Sequence, residues 1–256
     1  MSTTAVQPAP WRYPRWIAHR GAGKLAPENT LAAFRLGAAY GYRAFECDVK
    51  LSADDVPFLL HDATLARTTN GGDGRGGDLP WAELAKLDAG GWHSRGYAGE
   101  PPASLAAVAR FARANGFDIN LEIKPTPGLE ARTGEVVAAA VQRLWEGLPP
   151  PLFSSFMPPS LKAAQAVAPE VPRALLLDTL WDGWERVAEQ LGCIAVVTHH
   201  PLMDAALVKR LHGMGCRAVC YTVNEPADAR RLWDAGVDAL ITDAVDRFSP
   251  AEPAGR

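Results

Sequence analysis

At 256 residues and a formal net charge of -3, the chain has the length of one large domain with a substantial core, about what a (β/α)8 barrel needs. The near-neutral charge and the lack of any Lys/Arg run exclude a nucleic-acid or anionic-membrane surface as the main partner. There is no basic start leading into an apolar stretch and no apolar run of about 18 residues, so neither a signal peptide nor stable membrane insertion is expected.

Residues 1–14 are Pro-rich and without period, and they read as a loose N-terminal arm before a barrel domain over 15–249. Strand-like runs follow at 16–18, 44–51, 119–123, 152–154, 173–177, 194–198, 218–222 and 239–241. Amphipathic helical patterns lie between them at 31–40, 105–115, 129–145, 160–167, 181–190, 204–212 and 227–235. Several of these stop at a glycine placed as a C-terminal cap: Gly41, Gly116, Gly192, Gly213 and Gly236. Alternation of this kind, with right-handed crossovers, closes most naturally into an α/β TIM barrel, with a doubly wound open sheet as the alternative. Cys47, Cys193, Cys216 and Cys220 fall in apolar runs without zinc-type spacing and read as buried thiols of a cytoplasmic protein.

The first strand-like run ends in His19-Arg20-Gly21, where a strand becomes a loop and α/β proteins keep their chemistry. Alone, that triplet would read as a solvated turn. In Phe45-Glu46-Cys47-Asp48-Val49 the strand period of two puts Glu46 and Asp48 on one face, and Glu122 and Lys124 share a face one α/β unit later. Inside a barrel these carboxylates must face the lumen or its mouth, where mutual repulsion and desolvation call for a cation. Three inward carboxylates form an all-oxygen site suited to one divalent ion, Mg2+ or Ca2+, rather than zinc.

The apolar run 56–60 ends in His61-Asp62, so two histidines at one mouth could act as acid and base. Arg20, Lys124 and a cation together would neutralise an anion with several oxygens, such as a phosphate diester. His93, His199, His200 and His212 read as structural, with His199 and His200 the more open because they end a strand. After His61 the rhythm breaks. About 62–103 holds nine glycines with Trp81, Trp92 and Tyr97 and no clear period, and it reads as an insertion capping the barrel mouth or as a mobile surface excursion.

These pieces together resemble the glycerophosphodiester phosphodiesterase family, in its short cytoplasmic bacterial form. The matching segments are His19-Arg20-Gly21 with Pro27-Glu28-Asn29-Thr30, Glu46-x-Asp48-Val49, Val56-Pro57 leading to His61-Asp62, and Arg67-Thr68-Thr69. Further on come Leu121-Glu122-Ile123-Lys124, Ser154-Ser155-Phe156, Thr222-Val223-Asn224, and Gly236-Val237-Asp238 with Thr242-Asp243. The resemblance implies a TIM barrel with a small insertion after the second strand and a divalent metal. It also implies hydrolysis of deacylated phospholipids to sn-glycerol 3-phosphate and an alcohol.

Carried over residue by residue, Glu46, Asp48 and Glu122 look like metal ligands and His19 and His61 like the acid/base pair. Arg20 and Lys124 look like phosphate binders, with Phe156 and Tyr221 beside the substrate. Tyr221 stands where the family often has Trp, and Ser52-Ala53-Asp54-Asp55 replaces the usual Thr-x-Asp step; both bear on pocket shape and alcohol preference. Which histidine is acid, and whether water or the glycerol 2-hydroxyl attacks, stays open. Two other readings share the barrel: a phosphodiesterase acting on lysophospholipids, and a phosphodiester-binding protein without turnover.

Overall fold

The computed structural model of the protein describes residues 11–251. Eight parallel strands close on themselves: β1 (Trp16–Ala18), β2 (Ala44–Leu51), β4 (Asp118–Ile123), β5 (Leu152–Ser155), β6 (Arg173–Leu177), β7 (Ala195–His199), β8 (Arg217–Tyr221) and β9 (Ala239–Thr242). Pairing of β1 with both β9 and β2 seals the ring and rules out the open sheet. Because helices cover the outside and side chains fill the inside, a barrel strand is buried on both faces. All eight residues of β2 are buried, its charged side chains included.

One strand does not fit the eightfold scheme. β3 (Pro57–Leu59) runs antiparallel to the upper half of β2, pairing Val49 with Leu59 and Leu51 with Pro57. The hairpin between them turns at Asp55, at φ 58°, with Ser52 Oγ accepting from the Val56 amide. His61 therefore does not end a barrel strand as His19 does; a returning edge strand carries it back toward the mouth.

The helices are α1 (Leu31–Ala39), α2 (Trp81–Leu84), α3 (Leu105–Asn115), α4 (Glu130–Leu144), α5 (Pro158–Val167), α6 (Trp184–Gln190), α7 (Ala205–Gly213) and α8 (Pro226–Asp234). Their starts are fixed locally. The side-chain oxygens of Thr30, Ser104 and Asp204 accept from amides three residues on, and Pro opens α5 and α8. Of the expected glycine caps, Gly41, Gly116, Gly192 and Gly236 take positive φ. Gly213 does not: α7 runs through it and Gly215, at φ 78°, makes the turn.

The segment 62–103 is not a bare loop. Phe58, Leu60, Leu65 and Leu84 form a small apolar core of their own under α2 and two short 3-10 turns. Of the expected arm, residues 1–10 lie outside the described residues, while Trp11 and Tyr13 pack with Ile17, Ala44 and Leu152 in the barrel interior. The four cysteines are free and buried, and among the described residues no helix is long and apolar enough to cross a membrane.

Candidate active site

Strand parity places the charged side chains. Glu46 and Asp48 on β2 point inward together, and the parallel register sets Asp48 beside Glu122 on β4. One oxygen from each of Glu46, Asp48 and Glu122 lies within 4.8 Å of the others, with all three residues buried. Without a counter-ion this cluster is costly. Burial, then Asp48 and Glu122, push Glu46 well above the ordinary carboxylate range, and burial with Asp48 pushes Glu122 to about 7. Asp48 is the exception: burial would raise it, but Lys124 and Arg20 outweigh that and hold it below its ordinary value.

Asp48 Oδ1 is buried without a directed hydrogen bond, although Lys124 Nζ stands 3.2 Å away. A buried all-carboxylate set with an under-used oxygen fits a hard divalent cation and lacks the nitrogen or sulfur donors that zinc favours.

The β1–α1 loop wraps over this cluster. Arg20 and Asn29 both sit in the left-handed region, at φ 50° and 60°, a conformation that non-glycine residues adopt where surrounding contacts enforce it. Asn29 Nδ2 donates to Asp48 Oδ2 at 2.8 Å, and the Asp48 amide donates back to Asn29 Oδ1 at 3.1 Å. Arg20 presents its amide to Glu46 Oε2 at 3.2 Å and its Nε to Asp48 Oδ2 at 3.1 Å.

Each histidine is held by an aspartate. Asp243, just beyond β9, accepts from His19 Nδ1 at 2.6 Å, leaving Nε2 facing Glu46 Oε2 at 3.7 Å. Asp62 accepts from His61 Nδ1 at 2.6 Å. Arg67 then bridges Asp62 to Glu28, and Glu28 accepts from Arg20 at 3.0 Å, so one chain of ion pairs runs from His61 to the carboxylate cluster. Burial holds His61 below its ordinary value, against the opposing pull of Asp48.

Lys124 Nζ reaches Glu122 Oε1 at 3.0 Å as well as Asp48; burial pulls its ammonium down, but those two carboxylates more than compensate and leave it raised. Phe156 and Tyr221 meet edge to face, ring centres 5.8 Å apart, and the Lys124 ammonium stands 6.0 Å from the Phe156 ring centre. A cavity of about 190 Å3 at the C-terminal mouth is lined by His19, Arg20, Glu46, His61, Glu122 and Lys124 together with Phe156 and Tyr221.

The structure thus brings together His19, Arg20, Glu46, His61, Glu122, Lys124, Phe156 and Tyr221, with Asp48 completing the carboxylate cluster. It leaves His93, His199, His200 and His212 away from the cluster. His93 Nε2 bonds the Lys24 carbonyl, and His212 bonds Asp238 on the far side of the barrel. Sequence reasoning gave no role to Asp243, Asp62, Asn29, Glu28, Arg67 or Lys50. The first five stood inside the matched segments. Lys50 shares the inward parity of Glu46 and Asp48, and its Nζ donates to the Lys124 carbonyl at 3.2 Å.

A barrel whose mouth joins a buried carboxylate trio to two aspartate-backed histidines and two cations defines a hydrolase-type site for a phosphate ester. Residues 19–247 match the glycerophosphoryl diester phosphodiesterase family, and the chain belongs to that family. A glycerophosphodiester phosphodiesterase of Caldanaerobacter subterraneus subsp. tengcongensis is 33% identical over 232 residues, covering 89% of this chain and 93% of its own. Among solved structures, a phosphodiesterase of Oleispira antarctica in complex with the product sn-glycerol-3-phosphate superposes with a TM-score of 0.87 at 35% identity. That match covers 92% of this chain and 95% of the other. The glycerophosphodiester phosphodiesterase of Agrobacterium tumefaciens gives 0.78 at 29%, over 92% and 99%.

Proposed function

We propose that the chain hydrolyses glycerophosphodiesters to sn-glycerol 3-phosphate and an alcohol. The observation that carries this reading is the pair of histidines, each bonded through Nδ1 to a carboxylate at 2.6 Å and both facing the cavity that Arg20, Lys124 and the carboxylate cluster line. The family and the product-bound Oleispira antarctica relative support the same chemistry.

Glu46, Asp48 and Glu122 are the residues that would hold a divalent cation, magnesium or calcium, which when bound supplies charge neutralisation at the phosphoryl oxygens. Arg20 and Lys124 place fixed positive charge where negative charge grows in the transition state, stabilising it more than the ground state. Asp243 and Asp62 keep the Nδ1 proton on each ring, so the two Nε2 atoms are free to exchange protons, one taking from the nucleophile and the other giving to the leaving alkoxide. Phe156 and Tyr221 form the apolar wall against the three-carbon glycerol end. A cytoplasmic location belongs to the same reading, and the four buried free thiols are in keeping with it.

A second substrate, an intact lysophospholipid, is favoured by one observation. Met157, Leu180 and Trp181, on loops that follow β5 and β6, stay exposed near the mouth, where an acyl chain could lie.

The test is release of sn-glycerol 3-phosphate from glycerophosphodiesters, and of the acylated glycerol 3-phosphate from a lysophospholipid, with and without chelator. Turnover of the diesters that stops on chelation is expected. Binding without turnover would mark a phosphodiester-binding protein instead, and turnover of the lysophospholipid alone would favour the second substrate.

A further inference from the structure

A second cavity, of about 500 Å3, lies between the β1–α1 loop and the segment 62–103; its lining includes His19, Arg20, Lys24, Arg67, Trp92 and Asp243. His19 and Arg20 border it and the catalytic cavity alike, so a diester centred on them reaches into both. The lumen side is the smaller and is walled by Phe156 and Tyr221. The outer side is more than twice its volume and carries Lys24, Glu28, Arg67 and Asp243 in its lining.

Lys24 is held as a fixed feature of this outer cavity. Its amide donates to Asp243 O at 3.3 Å and its carbonyl is bonded by His93 Nε2 at 3.1 Å, which ties the loop to the insertion. Gly23 beside it, at φ +57°, packs so closely that a Cβ would stand 2.1 Å from the Asp243 carbonyl oxygen. The backbone is pinned while the ammonium stays exposed, and among the described residues it has no ion-pair partner.

The two carboxylates that border the cavity are already engaged. Glu28 accepts from Arg20 and twice from Arg67, and Asp243 accepts from His19 and from Asn224. Trp92 offers one indole, itself donating to the Ala89 carbonyl, and His93 meets it edge to face, which is short of an aromatic cage. Resting on the glycerophosphodiester reading above, we propose that this outer cavity is the subsite for the leaving alcohol and that Lys24 makes it select alcohols bearing a negative charge over quaternary ammonium alcohols.

The test compares kcat/KM for sn-glycerol 3-phosphate release from bis(glycerophospho)glycerol, whose leaving alcohol carries a phosphate, and from glycerophosphocholine. The parent is expected to favour the first by tenfold or more, and Lys24→Glu to lower that ratio by about tenfold at low salt, with less effect at high salt. Lys86→Glu makes the same charge change on an exposed residue paired with Glu83, outside the lining, and leaves the ratio as it was. Equal or choline-favouring turnover by the parent, or a Lys24→Glu ratio within twofold of the parent, overturns the subsite while leaving the phosphodiesterase reading intact. Absence of release from both substrates overturns that reading and the subsite with it.

Discussion

Replacing Asp243 by Asn removes one charge and almost no volume, and the geometry says why it is severe. Asp243 Oδ1 accepts from His19 Nδ1 at 2.6 Å while Oδ2 accepts from Asn224 Nδ2 at 3.2 Å, so both oxygens meet donors. An asparagine has one oxygen and one NH2. Turned one way, its NH2 confronts the Asn224 amide; turned the other, it donates to His19 Nδ1 and forces the ring proton onto Nε2, the atom that faces the cavity. Burial pushes Asp243 up, but the bonds from His19 and Asn224 outweigh it and hold the carboxylate below its ordinary value, so the lost interaction is charge-assisted. Such a bond is worth about 1.5–3 kcal/mol, or roughly one to two decades in rate. Reversal of the tautomer carries the loss toward the ~10⁴-fold seen when the aspartate of a Ser-His-Asp triad becomes asparagine. The assay is kcat/KM across pH, alongside a metal titration. Asp243 is not one of the three clustered carboxylates, so metal affinity is expected to stay near the parent's while kcat falls. A kcat/KM within threefold of the parent at every pH would refute the assignment of His19 as an acid/base oriented by Asp243.

Lys124→Met is expected to cut kcat/KM by roughly 2–4 kcal/mol; weakened metal binding with unchanged kinetics at saturating metal would reduce Lys124 to a structural partner of Glu122. Stability of the metal-free protein carries a sign that can be checked. The folded state raises Glu122 to about 7 and Glu46 well above its ordinary value. Their contribution is thus fully present below the unfolded carboxylate range, about 4.3, and is lost as pH rises through neutrality. Chelated protein should therefore lose Tm between about pH 5 and pH 8, and added Mg2+ or Ca2+ should restore more of it at the upper end; a flat chelated profile would contradict this. Gly23→Ala forces a Cβ onto the Asp243 backbone at positive φ and is expected to cost at least about 1–3 kcal/mol and to lower kcat by displacing Asp243; an unchanged Tm would show that the loop yields.

The barrel was legible because strands buried on both faces leave near-continuous apolar runs, and most helices end in a glycine before the next run. The carboxylate trio was legible through strand parity alone, since Glu46 and Asp48 sit two apart and Glu122 recurs one unit later. What escaped was tertiary. His19 and Asp243 are 224 positions apart, and their contact exists only once β9 pairs with β1. The three residues of β3 are too few to show direction, so His61 was expected at the end of a run like that before His19. The packing in 62–103 comes from Leu65 and Leu84 meeting Phe58 and Leu60 across irregular backbone, which leaves no period to read. Arg20 adopts left-handed backbone that its residue type does not announce, whereas Asn29 does so as an asparagine more readily can.

The most direct test of the central claim is metal-dependent release of sn-glycerol 3-phosphate from a glycerophosphodiester by three proteins: the parent, His19→Ala and His61→Ala. Steady release by the parent that stops on exhaustive chelation and returns with Mg2+ or Ca2+ is expected, with kcat reduced about 10²–10⁴-fold in each histidine variant at unchanged Tm. Full parent activity after chelation, or parental rates in either variant, would contradict the account.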